Sequence, residues 1–360
     1  MPNATCQWMP GTKTKPEMSA ELNCARLGQY LEQKLEDFTG PVQARKFPGG
    51  QSNPTFLLEA GNKRYVLRRK PEGPVLKSAH AVDREFRVIS ALAGTNVPVA
   101  RALHLCTDDS VIGSMFYVME FVEGRTFWDA ALPELEPPER PAIYTALINT
   151  LADLHAVDIK KAGLEDYGKP GQYFERQIAL WSRQYELSQT GSLPAMDELM
   201  HTLPALVPAD DHRLSLIHGD FRIDNLIFHT QQPRVLALID WELSTLGHPM
   251  ADLAYFSMSM RLPRMSEMKG LGGKNRVELN IPGEAQLIDQ YCQRSGLDGI
   301  HDWPFYLAFS YFRLAAIVQG VARRALDGNA SSRKAEEVGR MAGPLAQMGL
   351  EALDPGSSPG

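Results

Sequence analysis

Between residues 214 and 242 the chain sets polar residues at fixed spacing between short apolar runs, and no other feature constrains the fold as much. Residues 214–217, 226–228 and 235–239 form three such runs, each too short for a helix and better read as strands. His218-Gly219-Asp220 follows the first run, Asn225 immediately precedes the second, and Asp240 follows the third, fifteen residues beyond Asn225. Asn225 and Asp240 thus fall at adjacent strand ends, where side chains are held more rigidly than on loops.

This is an H-x-D-x4-N layout with a later Asp in Ile239-Asp240-Trp241, the arrangement of phosphoryl-transfer catalytic loops. In that chemistry a carboxylate orients the acceptor hydroxyl and takes its proton late, a role that suits Asp220 as catalytic base. Magnesium bridges the ATP phosphates and neutralises developing charge. Mg2+ prefers hard oxygen ligands, and an amide carbonyl with a carboxylate, Asn225 with Asp240, supplies them. Asp and Asn also cap ordinary turns, but the spacing, the flanking strands and the second Asp together favour a site.

The elements around this block suggest two parts. Residues 22–35 read as a helix, 42–47, 55–60 and 64–69 as strands, with Gly61-Asn62 as a hairpin turn. Residues 78–93 read as a helix with Val82, Phe86, Ile89 and Ala93 on one stripe, and 97–105 and 114–121 as further strands. Beyond Glu123-Gly124 the pattern turns mainly helical, with Pro141 as a first-turn proline and helix again over 284–325. The domain reading is a flexible tail at 1–20, a β-rich N-lobe at 21–117, a connector at 118–124, a helical C-lobe at 125–350 and a second tail at 351–360.

The block, continued by Gly247-His-Pro-Met-Ala-Asp252-Leu253, resembles the aminoglycoside phosphotransferase and choline kinase superfamily. It looks closest to the kinase-like domains fused to acyl-CoA dehydrogenases and to their free-standing bacterial relatives. The resemblance runs from about residue 40 to 345 and is strongest at 50–56, 83–86, 117–124, the catalytic block and 312–317. It implies an α+β, two-lobed protein-kinase-like fold with a β-rich N-lobe and a mainly helical C-lobe. It also implies that Asp220 is the catalytic base, that Asn225 and Asp240 hold magnesium, and that Asp252 supports the loop at His218. His218 reads as an orienting residue and His155, on the apolar face of its helix, as a core histidine.

The N-lobe is expected to bind the nucleotide. Gly49-Gly50-Gln51-Ser52-Asn53 lies between two strands, where glycines let the backbone approach phosphate and Ser52 adds a donor. It lacks a full G-x-G-x-x-G, and no G-x-x-x-x-G-K-[ST] occurs, which disfavours a P-loop fold. Arg68 stands where kinases carry a strand lysine, with Glu85 as its carboxylate partner. By the resemblance, Glu120 and Val122 present backbone contacts to adenine and Met119 lines its pocket.

The acceptor reads as a small-molecule hydroxyl. Gly219 stands where many protein kinases carry an arginine, and only eleven residues separate Asp240 from Asp252, too few for a peptide-docking activation segment. Residues 125–213 carry 14 acidic and 8 basic side chains, whereas 261–276 carries five basic and one acidic, which suits either a surface loop or a flap over an anionic substrate. The resemblance implies a hydroxyacyl-CoA as acceptor. An antibiotic or amino-alcohol kinase and a nucleotide-binding pseudokinase scaffold are the alternatives. A net charge of -6 argues against nucleic acid as partner. No run of about 18 uncharged apolar residues suggests a membrane span. Four cysteines without pair spacing read as thiols of a reducing cytoplasm.

Overall fold

The computed structural model describes residues 17–18, 22–47, 53–71, 81–264, 269–326 and 338–354. By their internal contacts these residues form two compact units that do not follow a single cut in the chain. The first comprises Met1–Leu135, Asp158–Leu164 and Ile223–Ser244, and the second Glu136–Val157, Glu165–Arg222 and Thr245–Gly360. The segments 125–135, 158–164 and 223–244, read from sequence as part of the helical lobe, therefore belong to the first unit.

Strands and helices are labelled in chain order. The first unit is built on β1 (Glu17–Met18), β2 (Val42–Lys46), β3 (Thr55–Ala60), β4 (Lys63–Arg69), β5 (Ala102–Cys106) and β6 (Phe116–Glu120). These form one antiparallel sheet in the order β1-β2-β3-β4-β6-β5. Glu17–Met18 pair with Arg45 and Lys46, so part of the expected N-terminal tail is a strand. The β3–β4 hairpin turns at Gly61, whose φ of +58° suits a residue without a Cβ.

The central strands are buried on both faces, which is why β3 reads as a nearly continuous apolar run. Helix α1 (Cys24–Glu32) lies against β2, and its first turn is capped by Asn23, whose side chain accepts from the Arg26 N–H at 3.0 Å. Leu27 and Leu31 of α1 join Ala44, Phe56, Leu58, Leu67, Phe116 and Val118 in one core. Helix α2 (Val82–Leu92) packs on β5 and β6. Its buried stripe is Val82, Glu85, Val88, Ile89 and Leu92; Phe86 is half-buried and Ala93 exposed, which corrects the stripe drawn from hydrophobicity alone.

The same unit holds β8 (Leu226–Phe228) paired with β9 (Val235–Leu238). Phe228 and Arg125 exchange two backbone bonds of 2.8 Å, and the Leu238 N–H donates to Pro98 O at 2.8 Å. These bonds fasten the β8–β9 pair to the first unit. Gly124 allows the approach: a Cβ there would stand 2.4 Å from Phe228 O and 2.4 Å from Ile227 Cγ2. Gly124→Ala is expected to cost about 1–3 kcal/mol through overpacking. Chemical denaturation checks this; an unchanged midpoint would contradict the packing described.

The second unit contains α3 (Arg140–His155), α4 (Tyr173–Ser188), α5 (Pro194–Thr202), α6 (Met250–Arg261), α7 (Glu284–Ser295), α8 (Trp303–Leu326) and α9 (Ala342–Ala352). Among the described residues its strand pair is β7 (Ser215–Ile217) with β10 (Thr245–Gly247). The expected helical stretch 284–325 is two helices, ended between them by Gly296 at φ +66°. Helix α8 is long and apolar enough to cross a membrane, with mean hydropathy 1.4, yet 78% of that stretch is buried within the protein. It is the central helix of the unit, packed by α4, α6 and α9. Two of its polar residues are buried and engaged: Gln319 donates to Ser188 O at 2.9 Å, and the Arg313 guanidinium faces the rings of Trp181 and Tyr255.

Candidate active site

Among the described residues, each unit holds a polar constellation that includes residues singled out from the sequence. In the first, the β8–β9 pairing continues beyond the strands, with the Ile239 N–H donating to Asn225 O at 3.0 Å. Asn225, fully buried, closes a 3-10 turn over Ile223–Asn225, and Asp240 is the residue after Ile239. Strand pairing therefore fixes both backbones at one end of the hairpin. Asp240 adopts φ +68° and ψ +61°, the left-handed region that costs a non-glycine residue about 1 kcal/mol or more. Trp241, buried and bonded through Nε1 to Leu238 O at 3.0 Å, anchors the turn that imposes this conformation.

Arg68 on β4 is the hub of this constellation. Its Nε lies 2.8 Å from Glu85 Oε2, and its Nη2 lies 2.9 Å from Asp240 Oδ1 and 3.5 Å from Glu242 Oε2. Glu85, only 2% exposed, also accepts from Asn53 Nδ2 at 2.7 Å and from the Tyr117 hydroxyl at 3.1 Å. A buried carboxylate is costly unless so provided. Burial, joined by Asp240, pushes its pKa up against the opposing pull of Arg68, Asn53 and Tyr117. The Arg68 guanidinium is driven the other way: burial disfavours its charge, but Glu85 and Asp240 outweigh burial and hold it firmly protonated.

Arg68→Lys keeps the charge but loses the planar fork that reaches two carboxylates at once. It is expected to lower stability by about 1–2 kcal/mol, near the worth of one hydrogen bond to a charged group. Thermal unfolding checks this, and a melting point equal to the parent's would contradict the bridging role.

In the second unit, Asp252 on α6 is fully buried and accepts from the His218 N–H at 2.6 Å and the Gly219 N–H at 2.8 Å. His155 approaches it through Nε2 at 3.4 Å and meets the Tyr291 hydroxyl through Nδ1 at 2.7 Å. Burial raises the Asp252 pKa, but the His155 bond, the charges of His155 and His218 and the bond from His218 N–H outweigh it and leave it lowered. Gly219, at φ +83°, turns the chain so that successive N–H groups converge on one carboxylate. His155 is a buried, bonded core histidine.

Asp220 follows directly. Its Oδ1 lies 3.2 Å from Arg222 Nε, and it is hydrogen-bonded to Tyr255. Burial pushes its pKa up; Arg222, His218, the Tyr255 bond and Arg313 together hold it below the usual aspartate value. The carboxylate is thus ionised at neutral pH and partly open to solvent, with 21% of its side chain exposed.

Among the residues assigned from sequence to nucleotide contact, Met119 is buried on β6 opposite Val66, and Glu120 donates its N–H to Arg101 O at 3.0 Å. Val122 is half-buried just past β6. Asn53 is buried with its side-chain amide on Glu85. Gly50, Gln51 and Ser52 lie outside the described residues.

Sequence reasoning missed Tyr117, Glu242, Tyr255 and Arg222. Two of these left a trace: Glu242 follows Asp240 by two residues, and Tyr255 follows Asp252 by three on one helix, a spacing that shares a face.

Comparison with known proteins identifies the family. The model of the phosphotransferase enzyme family matches residues 43–286. Acyl-CoA dehydrogenase family member 11 of Gallus gallus is 47% identical over 332 residues, covering 90% of this chain and 43% of that protein. Acyl-CoA dehydrogenase family member 10 of Mus musculus is 45% identical over 324 residues, covering 89% of this chain and 30% of that protein. The chain therefore spans less than half the length of these curated relatives. A crystal structure from Ralstonia eutropha JMP134 that bears the aminoglycoside phosphotransferase name is 49% identical, with a TM-score of 0.85, covering 92% of this chain and 98% of that one. The aminoglycoside phosphotransferase APH(4)-Ia, solved in complex with ADP and hygromycin B, shares the fold at a TM-score of 0.60 and 14% identity, covering 92% and 99% of the two chains. The chain belongs to the phosphotransferase enzyme family, with a mixed α+β kinase-like fold.

Proposed function

We propose that the protein transfers the γ-phosphate of ATP, with magnesium, to a hydroxyl of a small molecule, and that a hydroxyacyl-CoA is the acceptor class. The observation that carries the reading is the convergence of Glu85, Asp240 and Glu242 on Arg68, beside the strand end that holds Asn225. A cation rigidly held next to carboxylates is what a phosphate-binding site needs: a positive group for the phosphate oxygens and negative ones for the metal.

The donor set suits Mg2+. Asn225 and Asp240 would hold it through one amide oxygen and one carboxylate, leaving other positions to phosphate and water, as is usual for this ion. When bound, magnesium neutralises charge on the phosphates. Arg68, oriented by Glu85, would turn from Asp240 to the nucleotide phosphates. Asp220 would accept the hydrogen bond of the acceptor hydroxyl and take its proton as the new bond forms. Its lowered pKa keeps it in the accepting form at neutral pH. Asp252, by gripping the His218 and Gly219 N–H groups, would fix the loop that presents it.

The identity of about 45% to proteins named as acyl-CoA dehydrogenase family members supports the acceptor class. Incubation with MgATP and a panel of hydroxyacyl-CoA thioesters, aminoglycosides and amino alcohols tests it, with phosphorylated product read by mass spectrometry. Product from the thioesters is expected; product from an aminoglycoside alone would overturn the acceptor assignment.

A further inference from the structure

We propose that the second unit carries a binding site for an organic phosphate in the cleft that follows helix α6, with Arg276 as its principal ligand. The cleft measures about 580 Å3 and is lined by Arg261, Lys274, Arg276, Val277, Ile281 and Glu284. Arg261, Lys274 and Arg276, three of the five basic residues over 261–276, line it against the single carboxylate of Glu284. Its walls are built. The Leu271 N–H donates to Met260 O at 2.7 Å and the Gly272 N–H to Leu262 O at 2.9 Å, which docks the segment on the end of α6. Residues 275–281 form a compact turn closed by Ile281 N–H to Arg276 O at 2.9 Å, and Arg140 Nη1 fastens it by donating to Leu279 O at 2.9 Å.

The charges in this cleft do not balance. Glu284, 3% exposed, is engaged by Arg261 through two bonds of 2.7 and 2.9 Å and accepts a third from Trp303 Nε1 at 3.2 Å. Arg276 Nη1 is buried, and no hydrogen-bond acceptor is present for it among the described residues. Burial disfavours the Arg276 charge, and the attraction of Glu284 and Tyr144 does not offset burial and the repulsion of Arg261. A buried guanidinium N–H without an acceptor is expensive. An incoming phosphate would supply oxygens for the fork of Arg276 and neutralise Lys274, which is exposed at the rim. Val277, 87% exposed, offers apolar surface for the organic part. All these residues lie in one unit, so the inference is independent of the catalytic reading, and either can fail without the other.

Titration calorimetry on the full chain with phenyl phosphate and with inorganic phosphate tests it. Phenyl phosphate is expected to bind more tightly than inorganic phosphate. Arg276→Gln is expected to weaken phenyl phosphate by at least about tenfold, and Lys274→Gln by about threefold, as charge-assisted bonds are lost. Because burial outweighs the attraction of Glu284 and Tyr144 and Nη1 has no acceptor among the described residues, Arg276→Gln should not lower the melting temperature, whereas loss of a purely structural arginine would. Equal affinity in the parent and Arg276→Gln, or no binding by the parent, would overturn the site. Equal affinity for the two probes would overturn the organic part of the assignment. Should Arg276→Gln not fold, unchanged affinity in Lys274→Gln decides against the proposal.

Discussion

Asp220→Asn is expected to reduce phosphoryl transfer by at least about 10³-fold, within the range that a positioned general base contributes. Asparagine retains the shape of the side chain but cannot take the acceptor proton. It also removes the negative charge faced by Arg222 and the Tyr255 hydroxyl. Asp220 keeps 21% of its side chain exposed, so the stability change should be small beside the loss of activity. Circular dichroism and thermal unfolding establish that the variant is folded; steady-state kinetics supply the rate. The parent enzyme should show a matching pH dependence. Because Arg222, His218 and Tyr255 hold the Asp220 pKa below its ordinary value of about 3.9, the acid limb due to this group should lie below that value. Substantial transfer by the asparagine variant would remove Asp220 from the role of base.

The second large effect is on stability. Asp252→Ala leaves the N–H groups of His218 and Gly219 buried without their acceptor, and removes the partner of His155 Nε2. At about 1–3 kcal/mol for each orphaned donor, the loss should reach roughly 3 kcal/mol or more. For a unit of this size that corresponds to a melting point lower by about 10 °C. The pH dependence has a definite sign. The folded-state pKa of Asp252 is lowered, so its contribution to stability is present above the unfolded value of about 3.9 and is lost as pH falls through the folded value. The parent should therefore lose stability on acidification over that window more steeply than Asp252→Ala. Parallel unfolding curves for the two proteins across pH would contradict the bonding described.

The two predictions separate chemistry from support. Asp220 and Asp252 both lie near His218 among polar or charged partners, and both are held ionised. Exposure distinguishes them: Asp252 is sealed and spends its oxygens on backbone donors, whereas Asp220 retains access to solvent. The first can only hold the loop; the second can meet a substrate.

Much of this was legible in the sequence because the relevant elements are short and sharply bounded. The β3 run Thr55–Ala60 and the β8 run Leu226–Phe228 have the limits read from apolar residues alone. Local pattern was less informative where tertiary partners decide burial. Glu85 lies inward on α2 because Arg68, Asn53 and Tyr117 provide for its charge, and none of these is near it in sequence. A stripe drawn through apolar residues therefore selected Phe86 and Ala93 and passed over the buried carboxylate. Strand β10, three residues long, carries no alternation to detect and is defined by its pairing with β7. The left-handed backbone of Asp240 was equally hidden, since no glycine or asparagine marks the position.

The most direct measurement on the central claim is product formation by mass spectrometry in MgATP reactions with the acceptor panel, comparing the parent with Asp220→Asn and Asp240→Asn. The account predicts a phosphorylated acceptor, 80 mass units heavier by one HPO3 group (about 80, for a phosphoryl group replacing a hydroxyl proton), from the parent and from neither variant. Product from either variant at the parent's rate, or a parent that yields no phosphorylated acceptor while binding nucleotide, would contradict it.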